Sequence, residues 1–283
     1  MSEIAERKIC LVTGANAGIG KATAIGLAKI GAKVIMLCRD LTRGENSLQD
    51  IKTESNNEHI DLMIADLSSQ KSIRQFASDF NKKYQKLDVL INNAGVNFNK
   101  RVETIDGLEM TFAVNTIAPF LLTNLLLDVL LKSVPSRVVN VASGMQSSKI
   151  DFDNLQGEKH FSFMKSYGQS KSAIILLTYE FARRYIDSGV SFNCLHPGGV
   201  NTNIGKNLKG ISGVVSRNVM KLAKSPVKGA ETSIFLASSP DVERITGKYF
   251  VDKKEEKSKE VTYKESVATH LWDICAELTD LKK

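Results

Sequence analysis

Tyr167 and Lys171 stand four residues apart in Tyr167-Gly168-Gln169-Ser170-Lys171, ahead of the mostly apolar run Ser172 to Leu177. On a helix that spacing puts both side chains on one face, a single turn apart. An ammonium held near a phenol favours the phenolate. A free tyrosine has a pKa of about 10, and lowering it by ~2–3 units takes roughly 3–4 kcal/mol of fixed positive charge. One lysine and a cationic cofactor ring can supply that in a dry site. The result is a proton donor and acceptor that works near neutral pH. The spacing alone also fits a surface tyrosine beside a solvated lysine. The rest of the chain must therefore offer a hydride source, an oxyanion partner and a closed site.

The elements that would position this pair alternate along the chain. Ile9 to Val12 is a short apolar strand running into Thr13-Gly14, and Gly14, Gly18 and Gly20 follow in the order Gly-x-x-x-Gly-x-Gly. Lys21 to Ile30 then reads as a helix stopped by Gly31. A strand, a glycine turn and a helix are the parts of a dinucleotide cradle: the backbone approaches the phosphates and the helix N-terminus faces their charge. Lys33 to Leu37 is a second buried strand, ending in Cys38-Arg39-Asp40. NAD-binding folds usually carry an acid there, for the ribose hydroxyls. A neutral cysteine followed by Arg39, with Arg43 nearby, suits the extra phosphate of NADP better, although Asp40 keeps NAD open.

Ile60 to Ile64 is strand-like and leads to Asp66 and Leu67. Ser69 to Tyr84 is amphipathic, with Ile73, Phe76, Ala77 and Phe80 on one face. Leu87 to Ile91 ends in the polar turn Asn92-Asn93-Ala94-Gly95, where open α/β sheets bind ligands. Leu108 to Leu131 reads as one long helix, kinked at Pro119 beside Asn115. Arg137 to Ala142 is a strand ending in Ser143-Gly144, and Ser191 to Leu195 is another, ending in His196-Pro197-Gly198-Gly199. Lys253 to Glu260 reads as a charged loop. Val267, Leu271, Ile274, Cys275 and Leu278 then fall at helical spacing. The pattern predicts an α/β fold: one doubly wound parallel sheet of the Rossmann type in a single domain over residues 1–283, with a C-terminal extension at 253–283 ending in an amphipathic helix.

Composition narrows the classes. A chain of 283 residues that is 42% hydrophobic can bury one large core. The net charge of +7 comes from lysines and glutamates mixed throughout, with no arginine-rich block, so nucleic acid is not an expected partner. The four cysteines form no Cys-x-x-Cys and the four histidines are scattered, so neither a disulfide framework nor a metal site is indicated. The most apolar stretch, Phe120 to Leu131, is too short and polar to span a bilayer. No signal peptide is read at the N-terminus, and a cytoplasmic location is expected.

In order and spacing, Thr13 to Gly20, Asp66-Leu67, Asn92 to Gly95, Asn115, Ser143, Tyr167 to Lys171 and His196 to Gly198 resemble the short-chain dehydrogenase/reductase family over nearly the whole chain. Met36 to Asp40, Asp151 to Leu155 and Met164 to Lys171 are similar to its retinol dehydrogenase-like branch. The resemblance implies an NADP-dependent oxidoreductase acting on a carbonyl or alcohol of a small lipophilic molecule. Tyr167 would be its acid in reduction and base in oxidation. Ser143 would hold the substrate oxygen, Lys171 the nicotinamide ribose, and Asn115 a water in the proton relay. Gly14, Gly18 and Gly20 would cradle the pyrophosphate, with Asn16 and Ile19 among the cofactor contacts. Arg39 would take the 2′-phosphate, Asp66 and Leu67 the adenine, and Asn92, Ala94 and Gly95 the ribose region. Thr202 would anchor the nicotinamide amide or the pyrophosphate, and Pro197 and Gly198 would be among the cofactor contacts. His196 reads as structural. Residues 203–224, apolar and punctuated by glycines, read equally as a substrate lid or as packed helices.

Two other function classes stay open at this point. One is a dinucleotide-binding scaffold or redox sensor without turnover. The other is an epimerase or dehydratase of the same fold. Family members often pair through the helices after Asn115 and Tyr167, so a homo-oligomer is possible, although the terminal helix could cover that surface.

Overall fold

The computed structural model describes residues 8–199 and 224–281. Strand β1 (Ile9–Thr13) leads to α1 (Gly18–Lys29), β2 (Lys33–Cys38), α2 (Leu41–Ser55), β3 (Ile60–Ile64), α3 (Gln70–Lys83) and β4 (Val89–Asn92). After β4 come α4 (Met110–Phe112), a π-helical turn at Ala113–Ile117, α5 (Ala118–Leu125) and α6 (Leu127–Leu131). Then follow β5 (Ser136–Val141), the long helix α7 (Phe163–Arg184), β6 (Val190–His196), α8 (Pro226–Ser238), β7 (Lys248–Val251), β8 (Lys254–Glu256) and α9 (Glu265–Leu278).

The strands form one sheet in the order β3-β2-β1-β4-β5-β6-β7-β8. All neighbouring pairs are parallel except β7 with β8. Successive connections run outward from β1 on one side and from β4 on the other, so the β1–β4 boundary is the switch point where such sheets open a crevice. The central strands are buried on both faces, which is why they read as near-continuous apolar runs. Alternate residues serve the two faces: Cys10 and Val12 pack with Leu27 and Leu236, whereas Leu11 packs with Phe76, Phe120 and Leu177.

Two expectations are corrected. The single helix over Leu108 to Leu131 is interrupted twice, by the π-turn before Pro119 and by a break at Leu126. Proline has no N–H to donate to the preceding turn, so it sits where a new helix starts. The charged loop over Lys253 to Glu260 contains β8, which folds back on β7 through Asp252 and Lys253, both in left-handed conformation (φ 48° and 66°). The terminal amphipathic helix is present as α9 and docks on α7. The segment read as a lid lies outside the described residues, apart from Lys224.

Candidate active site

The glycine turn and the end of β4 meet at the switch point. Gly14 has φ +66° and Gly18 φ +54°, a region that L side chains enter only at a cost. A Cβ on Gly20 would lie 2.3 Å from the Gly14 carbonyl oxygen and 2.4 Å from Asn93 Nδ2, so only glycine lets α1 cross its own approach strand. No side chain caps the α1 N-terminus at Ala17. A Cβ on Gly18 would meet no other part of the protein within 4 Å. Asn16 offers its carbonyl to Ser47 Oγ at 2.9 Å, and Ile19 is buried beneath the turn.

Two residues that the sequence reading passed over brace this turn. Thr13 Oγ1 accepts the N–H groups of Asn93 and Ala94, both at 2.9 Å, and Asn93 Nδ2 donates to the Thr13 carbonyl at 2.8 Å. The side chain of Asn92 is directed into the helix layer. Its Nδ2 donates to Asn140 Oδ1 at 2.8 Å, and Asn140 Nδ2 passes on to Thr178 Oγ1 at 2.8 Å. Strand alternation is the reason: Asn92 shares the face of Leu90, opposite Val89 and Ile91.

At the end of β2, Cys38 is buried, with its thiol against the N–H groups of Ala15 and Asn16, and burial pushes it up to about 11. Arg39 is exposed and has no hydrogen-bond or charged partner among the described residues. The Asp40 carboxylate accepts the Arg43 N–H at 2.8 Å as the cap of α2. Asp66 Oδ1 accepts from the N–H and Oγ of Ser68 at 2.9 and 2.7 Å, and Leu67 packs against the core.

Helix α7 carries Tyr167, Ser170 and Lys171 with their side chains turned inward. The Lys171 ammonium donates to the Val141 carbonyl at 2.9 Å and stands 5.6 Å from the centre of the Tyr167 ring. Full burial pushes Lys171 down to about 8. Gly95 closes over this group: a Cβ there would touch Lys171 Nζ at 3.5 Å and Asn115 Oδ1 at 3.4 Å. Asn115 lies in the π-turn. Its Oδ1 accepts the Val96 N–H at 2.8 Å, and its Nδ2 donates to the Val96 carbonyl at 2.9 Å and to Ser170 Oγ at 3.0 Å. Ser170 Oγ donates in turn to the Tyr167 carbonyl at 2.8 Å, so Asn115 and Tyr167 share one network.

The Ser143 hydroxyl lies near the Tyr167 phenol, close enough to influence its ionisation. Burial pushes the phenol above its ordinary value and the nearby Ser143 hydroxyl pulls it back in part. The expected lowering by Lys171 is therefore not supplied by the chain alone, which provides one of the two cations the argument requires. Ser143 Oγ accepts the Met145 N–H at 3.1 Å, leaving its own proton for the phenol or for a substrate oxygen. Pro197 and Gly198 follow β6 as a half-buried turn, with Gly198 at φ +84°. Thr202 lies outside the described residues.

Comparison with known proteins agrees with this geometry. The family described as short chain dehydrogenase matches residues 8–210. The chain belongs to the short-chain dehydrogenase family. It is 42% identical to human retinol dehydrogenase 14, over 98% of this chain and 87% of that protein. It is 41% identical to human retinol dehydrogenase 13, over 97% and 85% of the two chains. Among solved structures it resembles an uncharacterized protein from Mycobacterium paratuberculosis, with a TM-score of 0.78, 27% identity and coverage of 97% and 94%. It also resembles the RhlG/NADP active-site complex of Pseudomonas aeruginosa, with a TM-score of 0.71, 25% identity and coverage of 88% and 97%. The chain is thus a dinucleotide-dependent oxidoreductase of the retinol dehydrogenase-like branch. No helix among the described residues is long and apolar enough to cross a membrane.

Proposed function

We propose that this short-chain dehydrogenase uses NADP and acts on the carbonyl or alcohol of a small lipophilic molecule. The observation that carries the proton-transfer role is the buried Tyr167 phenol beside the Ser143 hydroxyl, with the Lys171 ammonium 5.6 Å from its ring centre. The uncapped start of α1 and the open space on the Cβ side of Gly18 fit a pyrophosphate. When bound, the nicotinamide gives or takes the hydride. Ser143 donates a hydrogen bond to the substrate oxygen and favours its developing negative charge. Tyr167 delivers the proton to that oxygen in reduction and removes it in oxidation. Lys171 stands beside it as a buried donor for a ribose hydroxyl, and Asn115 holds the Val96 backbone next to that lysine.

Three features support the finer assignments. Arg39 is exposed and unpartnered among the described residues, while the Asp40 carboxylate is occupied as a helix cap, which favours a 2′-phosphate over free ribose hydroxyls. Met145 and Met164, close in sequence to Ser143 and Tyr167, are 43% and 49% exposed and offer apolar, adaptable contacts. Relatives named retinol dehydrogenases point to the same substrate class. A redox-sensing role is disfavoured because all four cysteines are buried, and burial raises their thiols. Free, buried thiols also suit the reducing cytoplasm.

The test is kcat/KM with NADPH and NADH in the wild type, Arg39→Ala, and Arg39→Ala with Cys38→Asp. The wild type should prefer NADPH by about 30- to 1000-fold, the equivalent of ~2–4 kcal/mol. Arg39→Ala should raise the KM for NADPH and leave NADH nearly unchanged. The double variant should turn toward NADH by adding repulsion to the lost attraction. A wild type that prefers NADH would refute the NADP assignment.

A further inference from the structure

The chain ends of β5 and β6 part just above the catalytic serine, and a histidine side chain bridges them. Backbone pairing continues as far as the Ala142 N–H, which donates to the Leu195 carbonyl at 2.8 Å. Two residues later the Gly144 N–H finds no backbone partner across the gap and donates to His196 Nδ1 at 2.9 Å. The ring lies against the Gly144 Cα, where a Cβ would meet Nε2 at 3.0 Å and Cδ2 and Cε1 at 3.3 Å. An Nδ1 that accepts an N–H carries no proton, so the imidazole is neutral with its proton on Nε2.

We propose that His196 is a positioning residue, whose neutral Nδ1 holds the Gly144 N–H and thereby fixes Ser143 against the Pro197–Gly198 turn. Ser143 precedes the held glycine, and Pro197 follows the histidine that holds it. One side-chain bond thus sets the spacing between the loop that holds the substrate oxygen and the turn expected among the cofactor contacts. Near-attack geometry is sensitive to such spacing. The Ser143 carbonyl is fixed from its other side by Tyr249 Oη at 3.2 Å and Gln146 Nε2 at 3.1 Å, so losing the histidine bond frees one edge of an otherwise fastened peptide.

Protonation would make Nδ1 a donor facing another donor, and the bond would break. The charged groups that face the ring among the described residues are Lys224, from the segment before α8, and Asp252, from the β7–β8 turn, paired with each other at 2.6 Å. Burial and Lys224 hold the imidazole below its usual range, against the opposing pull of Asp252. The bond therefore persists through neutral pH and fails in acid.

This inference rests on the carbonyl-reductase reading for its kinetic test, and on the histidine alone for a spectroscopic one. His196→Asn keeps an acceptor near the Nδ1 position, His196→Gln moves it outward, and His196→Ala removes it. The measurement is kcat for aldehyde reduction against pH, with NADPH affinity followed by fluorescence. His196→Asn should stay within about threefold of wild-type kcat and lose the acid limb, whereas His196→Gln and His196→Ala should lose roughly tenfold or more in kcat. NADPH affinity should hardly change in any of them. Equal impairment of the Asn and Gln variants, wild-type kcat in the Ala variant, or an acid limb surviving in His196→Asn would each overturn the proposal. Nitrogen-15 spectra of the labelled wild type should show a neutral Nε2–H tautomer at neutral pH. A charged ring or an Nδ1–H tautomer there would overturn the proposal even if no aldehyde is reduced. A wild type without turnover but with the Nε2–H tautomer would sink the carbonyl-reductase reading and leave the bond standing.

Discussion

Lys171 carries a buried ammonium at the centre of the site, and its burial has a cost. Its ammonium is pushed down to about 8 in the folded chain, against an unfolded value of about 10.4. Between those values the unfolded chain holds more protons, so stability should rise with pH through that window. At pH 7 the buried charge opposes folding by roughly 3 kcal/mol, set against its bond to the Val141 carbonyl. Lys171→Met should remove this contribution to the pH dependence. Denaturant unfolding of both proteins between pH 7 and pH 10 should show the wild type gaining about 2–3 kcal/mol relative to the variant. A constant difference would mean that the lysine is not charged and buried as described. The same variant should bind the cofactor more weakly and turn over more slowly.

At the scale of elements, most of the sheet could be read from apolar runs, because strands buried on both faces leave that signature. The turns around it were less legible. The run Asp252-Lys253-Lys254 turns a hairpin without the glycine or asparagine that usually marks one, so β8 read as a charged loop. The π-turn at Asn115 has helical composition and no sequence sign beyond Pro119. Counting alternation from Leu90 would have turned Asn92 inward and left Asn93 for the turn. The glycine turn allows a direct contrast. Gly18→Ala meets no protein atom, so its cost to the fold should be only the ~1–2 kcal/mol of a left-handed residue. Gly20→Ala drives a Cβ into the Gly14 carbonyl and should lower the Tm far more than Gly18→Ala. Thermal unfolding of both variants checks this, and equal effects would contradict the close approach at Gly20.

Across the whole molecule, the C-terminal extension is part of the body. Trp272 on α9 packs edge-on against Phe120 and Phe181, and the Arg184 guanidinium lies 4.1 Å from its ring centre. Arg183 and Arg184 are held in turn by the buried Glu180, and Arg74 of α3 donates to the Thr279 carbonyl at the end of α9. The helical spacing in the sequence announced this helix, but not whether it would meet the body or a partner. Here it packs on α7, against Phe181 and Arg184. Trp272→Ala should cost about 3–5 kcal/mol, as other buried aromatic truncations do. Thermal unfolding with and without NADPH would register it as a lower Tm. A Tm within a degree or two of wild type would show that α9 is dispensable.

The account stands or falls on Tyr167 as the group that moves the proton. The most direct measurement is single-turnover oxidation of NADPH by a polyene aldehyde in wild type and Tyr167→Phe, with NADPH affinity measured on the same samples. The phenylalanine ring keeps the packing and loses only the hydroxyl. The variant should bind NADPH as the wild type does and react at least about 10²-fold more slowly. A variant that binds NADPH normally and keeps more than about a tenth of the wild-type rate would contradict the assignment.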